Sequence, residues 1–206
     1  MKKKELSGKD LLLTLLYCPG FKSDPNEAIV GRTRITKMIY LFEKELYKKE
    51  FFNDMSIILP EFEPYHYGPF SRELFDDLGF FISIGLIQTE ETSIPISPAD
   101  KSEFVLDADD SVDDEWAVAT FDEPHEPKVE LKYSLSESGV KYVRENIWEL
   151  FSPQQIENLS MFKKRINSIS LDSLLNYIYN KYPDDTIKSR IADRYLAEDV
   201  DNDVRN

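Results

Sequence analysis

Between Thr89 and Pro127 thirteen acidic residues stand against a single base, Lys101, and Pro95, Pro98, Pro124 and Pro127 punctuate the stretch. Such a segment cannot bury enough apolar surface to offset the entropy of ordering it. It reads as a flexible excursion or a long irregular hairpin, so the compact part of the molecule must be assembled from the residues on either side. The excursion itself is either a solvated loop that aids solubility or a docking surface for a basic partner.

Before the excursion the apolar pattern is helical. Leu11, Leu12, Leu15 and Leu16 follow Ser7, a candidate cap, and predict a first helix from about Gly8 to Tyr17. Pro19, Gly20 and Pro25 then force a loop. From Arg32 to Lys49 the positions Ile35, Met38, Ile39, Phe42 and Leu46 predict one amphipathic helix with Arg32, Lys37, Lys44 and Lys48 on its solvated face. Pro60 and Pro64 interrupt Ile57 to Tyr67, which is expected to be an extended connection rather than a central strand, with a turn at Gly68-Pro69. Ser71 should cap a third helix that buries Leu74, Phe75, Leu78, Phe81 and Ile82 and ends at Gly85, and a strand starts at Leu86 to Thr89.

After the excursion Val129, Leu131, Tyr133 and Leu135 alternate with Lys128, Glu130, Lys132 and Ser134, the period of a half-buried strand. Phe104 to Leu106 and Trp116 to Phe121 are candidate strands within the excursion. Ser134 and Glu137 stand three apart, as a capping box requires, before a helix bearing Val140, Val143, Ile147 and Leu150. Ser152, Pro153 and Gln155 open another helix, with Ile156, Leu159, Phe162 and Ile166 inward. Leu171, Leu174, Leu175, Ile178 and Tyr182 mark the next, closed by Pro183. Ile187, Ile191 and Leu196 belong to a short last helix, and Glu198 to Asn206 are expected to fray.

The 206 residues carry 25 Lys/Arg against 39 Asp/Glu, a formal net charge of −14, which opposes generic attraction to a polyanion. The charge is graded: residues 1–50 carry +4, residues 51–132 carry −16 and the remainder −2. The one cysteine, Cys18, cannot form an internal disulfide, in keeping with a reducing interior. Lys2, Lys3 and Lys4 before Leu11 to Leu16 superficially resemble a secretory signal, but the apolar run is short, Thr14 interrupts it and no small-residue cleavage pattern follows. No stretch approaches the roughly eighteen apolar residues of a membrane span. A cytoplasmic location is expected.

Two helices, an extended link, a helix opened by Gly68-Pro-Phe-Ser71, the tripeptide Gly85-Leu-Ile87, a strand excursion and Tyr133-Ser-Leu-Ser-Glu-Ser-Gly139 before another helix resemble, in this order, a winged helix. The expected fold class is mainly α with a small β wing (α+β). A winged-helix-like core covers residues 1–151 with the acidic insertion at about 89–127, followed by a C-terminal helical appendage at 152–197 and a frayed tail at 198–206. In nucleic-acid readers of this shape the third helix offers basic and amide side chains to DNA. Here its polar positions are Ser71, Arg72, Glu73, Asp76, Asp77 and Ser83, three acids to one base, a face that repels phosphate. A duplex would have to use Arg32, Arg34 and Lys37 instead, residues that read first as a solvated helical face paired with Glu43, Glu45 and the excursion.

His66, between Tyr65 and Tyr67, is the one histidine in a motif-like setting. With Glu61 or Glu63 it suggests a general base, but no nucleophile with a local signature accompanies it. Two histidines and one cysteine do not make the usual zinc ligand sets. Asp107, Asp109, Asp110, Asp113 and Asp114 lack the glycine and terminal glutamate of a calcium loop, and no glycine-rich phosphate loop is present. The chain reads as a non-enzyme, with no catalytic residue, metal or cofactor expected. Phe62, Tyr65, Tyr67 and Phe70 form a dense aromatic set, suited either to packing their loop or to a protein interface, with Arg72, Glu73, Asp76 and Asp77 as a polar rim.

Three stretches carry a family resemblance: Gly31-Arg-Thr-Arg-Ile-Thr-Lys-Met-Ile-Tyr-Leu-Phe42, Phe62-Glu-Pro-Tyr-His-Tyr-Gly-Pro-Phe-Ser-Arg-Glu-Leu74 and Leu171-Asp-Ser-Leu-Leu-Asn-Tyr-Ile-Tyr-Asn-Lys-Tyr-Pro183. They resemble the YwgA-like family of small bacterial and archaeal proteins. That family in turn is similar to the Panacea (SocA-like) antitoxin domain, here through Lys37-Met-Ile-Tyr-Leu-Phe42 and Tyr67-Gly-Pro69. The resemblance implies a non-enzymatic module that recognises another protein, typically to neutralise a toxin or present it to a protease. The expectation is therefore an antitoxin-like or adaptor-like interaction module that binds a toxin or another basic protein. Its binding residues would be Phe62, Tyr65, His66, Tyr67, Phe70, Arg72, Glu73, Asp76 and Asp77. The alternative is a winged-helix DNA-binding transcriptional regulator using Arg32, Arg34 and Lys37. A homodimer through the C-terminal helices is open, and no membrane partner is expected.

Overall fold

Leu11, Leu12, Leu13, Leu15 and Leu16 leave the first helix without a polar stripe, and a helix apolar all round belongs in an interior. The computed structural model, which describes residues 4–21, 24–93 and 129–196, places it there: Leu11 to Tyr17 are all buried. The elements run β1 (Lys4–Ser7), α1 (Gly8–Tyr17), β2 (Ile29–Val30), α2 (Arg32–Leu41), β3 (Met55–Ile58), β4 (Glu63–Tyr65), β5 (Gly68–Phe70) and α3 (Arg72–Ser83). After these come β6 (Ile87–Ser93), β7 (Val129–Leu135), α4 (Glu137–Asn146), α5 (Pro153–Ser168), α6 (Leu171–Lys181) and α7 (Ala192–Leu196). The fold is mixed α+β, with several helices around small sheets. The acidic excursion beyond Ser93, its candidate strands Phe104–Leu106 and Trp116–Phe121, Lys2, Lys3 and the tail expected to fray lie outside the described residues.

The caps read from sequence hold at three helices. Ser7 and Asp10 exchange side-chain and backbone hydrogen bonds in a capping box at α1, Ser71 accepts from the Leu74 amide at α3, and Ser152 and Gln155 form a second box at α5. Helix α3 closes with the amide of Leu86 on the Phe81 carbonyl and that of Gly85 on the Ile82 carbonyl, a Schellman arrangement that needs the left-handed φ of +74° at Gly85. Before α4 the cap is Ser136, whose Oγ accepts from the Gly139 amide, not Ser134. Ser134 is still part of β7, paired opposite Gln88.

Strands β2, β7 and β6 form an antiparallel sheet in that order. Asn26, at φ 62°, extends its edge: its side chain both donates to the Leu135 carbonyl and accepts from the Leu135 amide. Tyr133 and Leu135 face the core, but Leu131, expected beside them, is 37% exposed. Ile57 to Tyr67 holds more pairing than the prolines suggested. Strand β3 pairs in parallel with β1, and β4 and β5 form a hairpin whose turn is His66-Tyr67, so Gly68-Pro69 lies in a strand and not at the turn.

The helix expected from Arg32 to Lys49 is α-helical only to Leu41 and continues as a π-helical turn over Phe42–Leu46, closed by the Tyr47 amide on the Phe42 carbonyl. Phe42 and Leu46 remain inward, and so does Lys37, which is 3% exposed and not on a solvated face. In α3, Leu74, Leu78 and Phe81 are buried as expected, whereas Ile82 is exposed and Asp77 takes a buried place. Ile187 is likewise exposed.

Helices α5 and α6, expected as an appendage, contribute Leu159, Phe162, Ile166, Leu171, Leu174, Leu175 and Ile178 to the same buried cluster as α1 and α2. Two buried cations bind the halves together. Lys163 Nζ donates to the carbonyls of Leu16 and Cys18 at the end of α1, and Arg34 Nη1 donates to those of Ile166 and Ile169 at the end of α5. Each supplies donors where a helix end leaves carbonyls unpaired. Burial pushes the Cys18 thiol up to about 11, against the pull of Lys163, and so keeps it an unreactive thiol. No described helix is long and apolar enough to cross a membrane.

Two glycines test this packing. A β-carbon on Gly139 would strike the Leu86 carbonyl, whereas one on Gly79, in the open face of α3, meets nothing within 4 Å. Gly139→Ala should lose roughly 1–3 kcal/mol in urea unfolding, the overpacking cost outweighing helix propensity. Gly79→Ala should gain roughly 0.5–1 kcal/mol.

Candidate interaction surface

The β4–β5 hairpin and the start of α3 bring most of the aromatic residues singled out in the sequence to one place. Tyr65 stacks on His66 with ring centroids 4.3 Å apart and lies 5.1 Å from Phe70, which in turn is 6.3 Å from Phe75. Phe62 sits at the foot of the hairpin, edge-on to Tyr40 at 5.4 Å. Phe62, Tyr65, His66, Tyr67 and Phe70 are all half-buried, so the cluster keeps part of its aromatic surface open to solvent. Arg72, Glu73 and Asp76 are exposed beside them. Asp77 is not part of this rim: it is buried and its carboxylate pairs with Lys9 of α1 at 3.1 Å.

The underside of the hairpin is clamped by residues from distant segments. Lys37 Nζ, buried in α2, donates to the Pro69 carbonyl at 2.9 Å. The Arg190 amide and Ser189 Oγ both donate to the His66 carbonyl, at 2.8 and 3.0 Å, and the Ser189 and Tyr179 hydroxyls bond to each other. Gly68, at φ +84°, allows the approach of the Tyr179 ring, which a β-carbon there would meet at 3.3 Å. The turn is thereby held at its carbonyls and at its glycine while its rings face outward.

The three basic residues considered for a duplex are separated. Arg34 caps α5, Lys37 lies under the hairpin, and only Arg32 is partly open, its guanidinium 4.7 Å from the centre of the Phe75 ring. Arg34 and Lys37 are buried because their donors serve backbone carbonyls, so neither lies on the surface expected of it. Around α3 the exposed charges are Arg72, Glu73 and Asp76, and strand β6 adds exposed Glu90 and Glu91. Among the described residues no three His, Cys, Asp or Glu side chains come together as a metal site, and the five aspartates between Asp107 and Asp114 lie outside them.

Tyr179 and Ser189 were not among the sequence candidates, and Lys37 was a candidate only for a duplex, not for the support of this hairpin. The available signal was the unbroken apolar run Met38-Ile-Tyr-Leu-Phe42, which already says that α2 is enclosed on most sides and that a lysine just before it has little water to reach. Comparison with protein-family models, curated proteins and solved structures finds no match to this chain.

Lys37 has a measurable signature. Burial lowers its pKa from 10.5 to about 7, so between these values the unfolded chain holds a proton that the folded one does not. The stability of the native chain should therefore rise with pH across that window, whereas below about pH 7 the cost of the buried charge is fully present. In urea titrations from pH 6 to 10, the stability of Lys37→Met relative to the native chain should fall as pH rises, by up to ~1.4 kcal/mol per pH unit. A difference independent of pH would show that Lys37 stays charged in the fold.

Proposed function

We propose that this chain is a non-enzymatic protein-interaction module with a winged-helix-like core, antitoxin-like or adaptor-like in role, whose partner docks on the β4–β5 hairpin and the exposed start of α3. The observation that carries the reading is the clamped aromatic hairpin. The half-buried rings of Tyr65, His66 and Phe70 stack on one another on a hairpin whose backbone is held by Lys37, Ser189 and Arg190. Aromatic anchors held in place before binding lose little entropy on association, which is the property of interface hot spots.

The rim specifies the partner. Glu61, Glu63, Glu73 and Asp76 are exposed around the rings against one guanidinium, Arg72, which favours a protein with a basic patch. The order α1, β2, α2, α3, β6, β7 and the sheet β2-β7-β6 support the winged-helix-like reading. In such a fold α3 and the wing would meet DNA, and the exposed Glu73, Asp76, Glu90 and Glu91 oppose that use. The resemblance to the YwgA-like and Panacea families points to protein recognition as well.

A photo-crosslinking amino acid placed in living cells of the source at Tyr65, at Glu73 and, as a control, at Ile187 tests the proposal. The first two positions should trap the same protein and the third should not, and Phe70→Ala with Asp76→Lys should reduce the Tyr65 adduct at least tenfold without changing the thermal melt. Equal adducts at Ile187, or none at Tyr65 together with salt-sensitive duplex binding, would transfer the case to the DNA-binding alternative.

A further inference from the structure

The π-helical turn after α2 opens a second feature that the docking surface does not use. It borders a concave groove of about 550 Å³ between the end of α2, the middle of α5 and the end of α6. A volume of this size lies within the roughly 300–1,000 Å³ of small-molecule sites. Five cations line it, Lys44, Lys48, Lys49, Arg165 and Lys181, against one carboxylate, Glu45. This is a local positive excess on a chain whose formal net charge is −14.

Glu45 accounts for only part of that charge. Its carboxylate accepts from Arg165 Nη2 and Lys181 Nζ, both at 2.9 Å, and from the hydroxyls of Tyr177 and Tyr182. Burial works against its ionised form, but these donors outweigh it and pull its pKa down to about 2. Lys44 is paired with Asp185 at 2.8 Å. Among the described residues Lys48 and Lys49 pair with no acid, and Arg165 gives only one of its nitrogens to Glu45. The network thus gathers Arg165 and Lys181 around Glu45 and leaves cationic donors lining the groove. Met161, 55% exposed, and the ring of Tyr182 add an apolar and aromatic wall.

We propose that this groove binds a phosphate-bearing small molecule of nucleotide size, its phosphates held by Lys48, Lys49 and Arg165 and its planar or apolar body resting on Met161 and Tyr182. Its concavity argues against a duplex, whose convex backbone does not enter such a groove. Repulsion from a chain of net charge −14 accumulates along a long polyanion, whereas a small ligand feels mainly the charges within a Debye length of about 8 Å at physiological salt. No residue of the β4–β5 hairpin or of α3 lines the groove, so the two proposals stand or fall separately.

Isothermal titration calorimetry of the full chain at 150 mM salt, with ATP, inorganic pyrophosphate, adenosine and a twelve-nucleotide single-stranded DNA, tests it. ATP should bind, pyrophosphate more weakly, and adenosine at least tenfold more weakly than ATP. Lys48→Glu with Lys49→Glu should weaken ATP at least tenfold with an unchanged thermal melt, Lys48→Arg with Lys49→Arg should retain it, and Arg72→Glu should have no effect. Absence of heat from both ATP and pyrophosphate at millimolar concentration overturns the proposal. So does undiminished ATP binding by the double glutamate variant, or tighter binding of the oligonucleotide than of ATP, which would make the groove a nucleic-acid track.

Discussion

Three buried cations that bond to backbone carbonyls hold this fold together. Arg34, Lys37 and Lys163 are almost wholly enclosed, and each spends donors on main-chain oxygen: Arg34 on the end of α5, Lys163 on the end of α1, Lys37 on strand β5. A helix end that enters a core must find donors for its last carbonyls, because an unpaired buried carbonyl costs about 1–3 kcal/mol. One long cationic side chain can serve two of them at once. The expense appears in the lysines themselves, where burial pulls the pKa of both Lys37 and Lys163 below that of an exposed amine. These bonds connect residues more than 130 positions apart in two of the three cases, so they join the C-terminal helices to the N-terminal ones in a way that apolar contact alone, being non-directional, does not specify.

This also explains which parts of the molecule could be read from the sequence. Helices whose signals are local were legible: Ser7, Ser71 and Ser152 stand where caps must stand, and Gly85 ends α3 because its backbone requires a positive φ. Features decided by distant partners were not. The β1–β3 pair joins Lys4 to Met55 through strands of four residues, too short for a period of two to register. Ser134 stands three residues before Glu137 as a capping box requires, but β7 continues to Leu135 to meet Ile87, which leaves the cap to Ser136. Lys37 sits among apolar positions, and its charge suggested solvent until the acceptor at Pro69 was placed above it.

The candidate docking surface divides along the same line. Its rings and most of its rim are contiguous in sequence and were visible as a cluster. The clamp beneath comes from Tyr179, Ser189 and the Arg190 amide, about 120 residues further on, and no local pattern announces it. Asp77 shows the converse error. It follows Asp76 in the chain, but one helical step turns it from the rim toward Lys9, where the ion pair fastens α3 to α1.

Charge placement then gives the two candidate surfaces opposite preferences within one small molecule. Glu73 and Asp76 of α3 and Glu90 and Glu91 of β6 are exposed and lack an equal complement of bases, whereas the cations beyond the end of α2 stand near Glu45, which pairs with Arg165 and Lys181. Tyr40 lies between them: its ring meets Phe62 of the hairpin on one side and Tyr182 of the groove on the other, and its hydroxyl donates to Asp185, the partner of Lys44. A rearrangement of Lys44 in the groove and of Asp185, its partner outside it, would therefore disturb the ring on which the foot of the hairpin rests. Because α2 is enclosed and its lysine is committed to Pro69, the helix itself has little freedom to absorb such a change. Tyr40 is thus one point of contact between the two surfaces, and the turn at Pro183–Thr186, which carries Asp185 and packs on β4 and β5, is another.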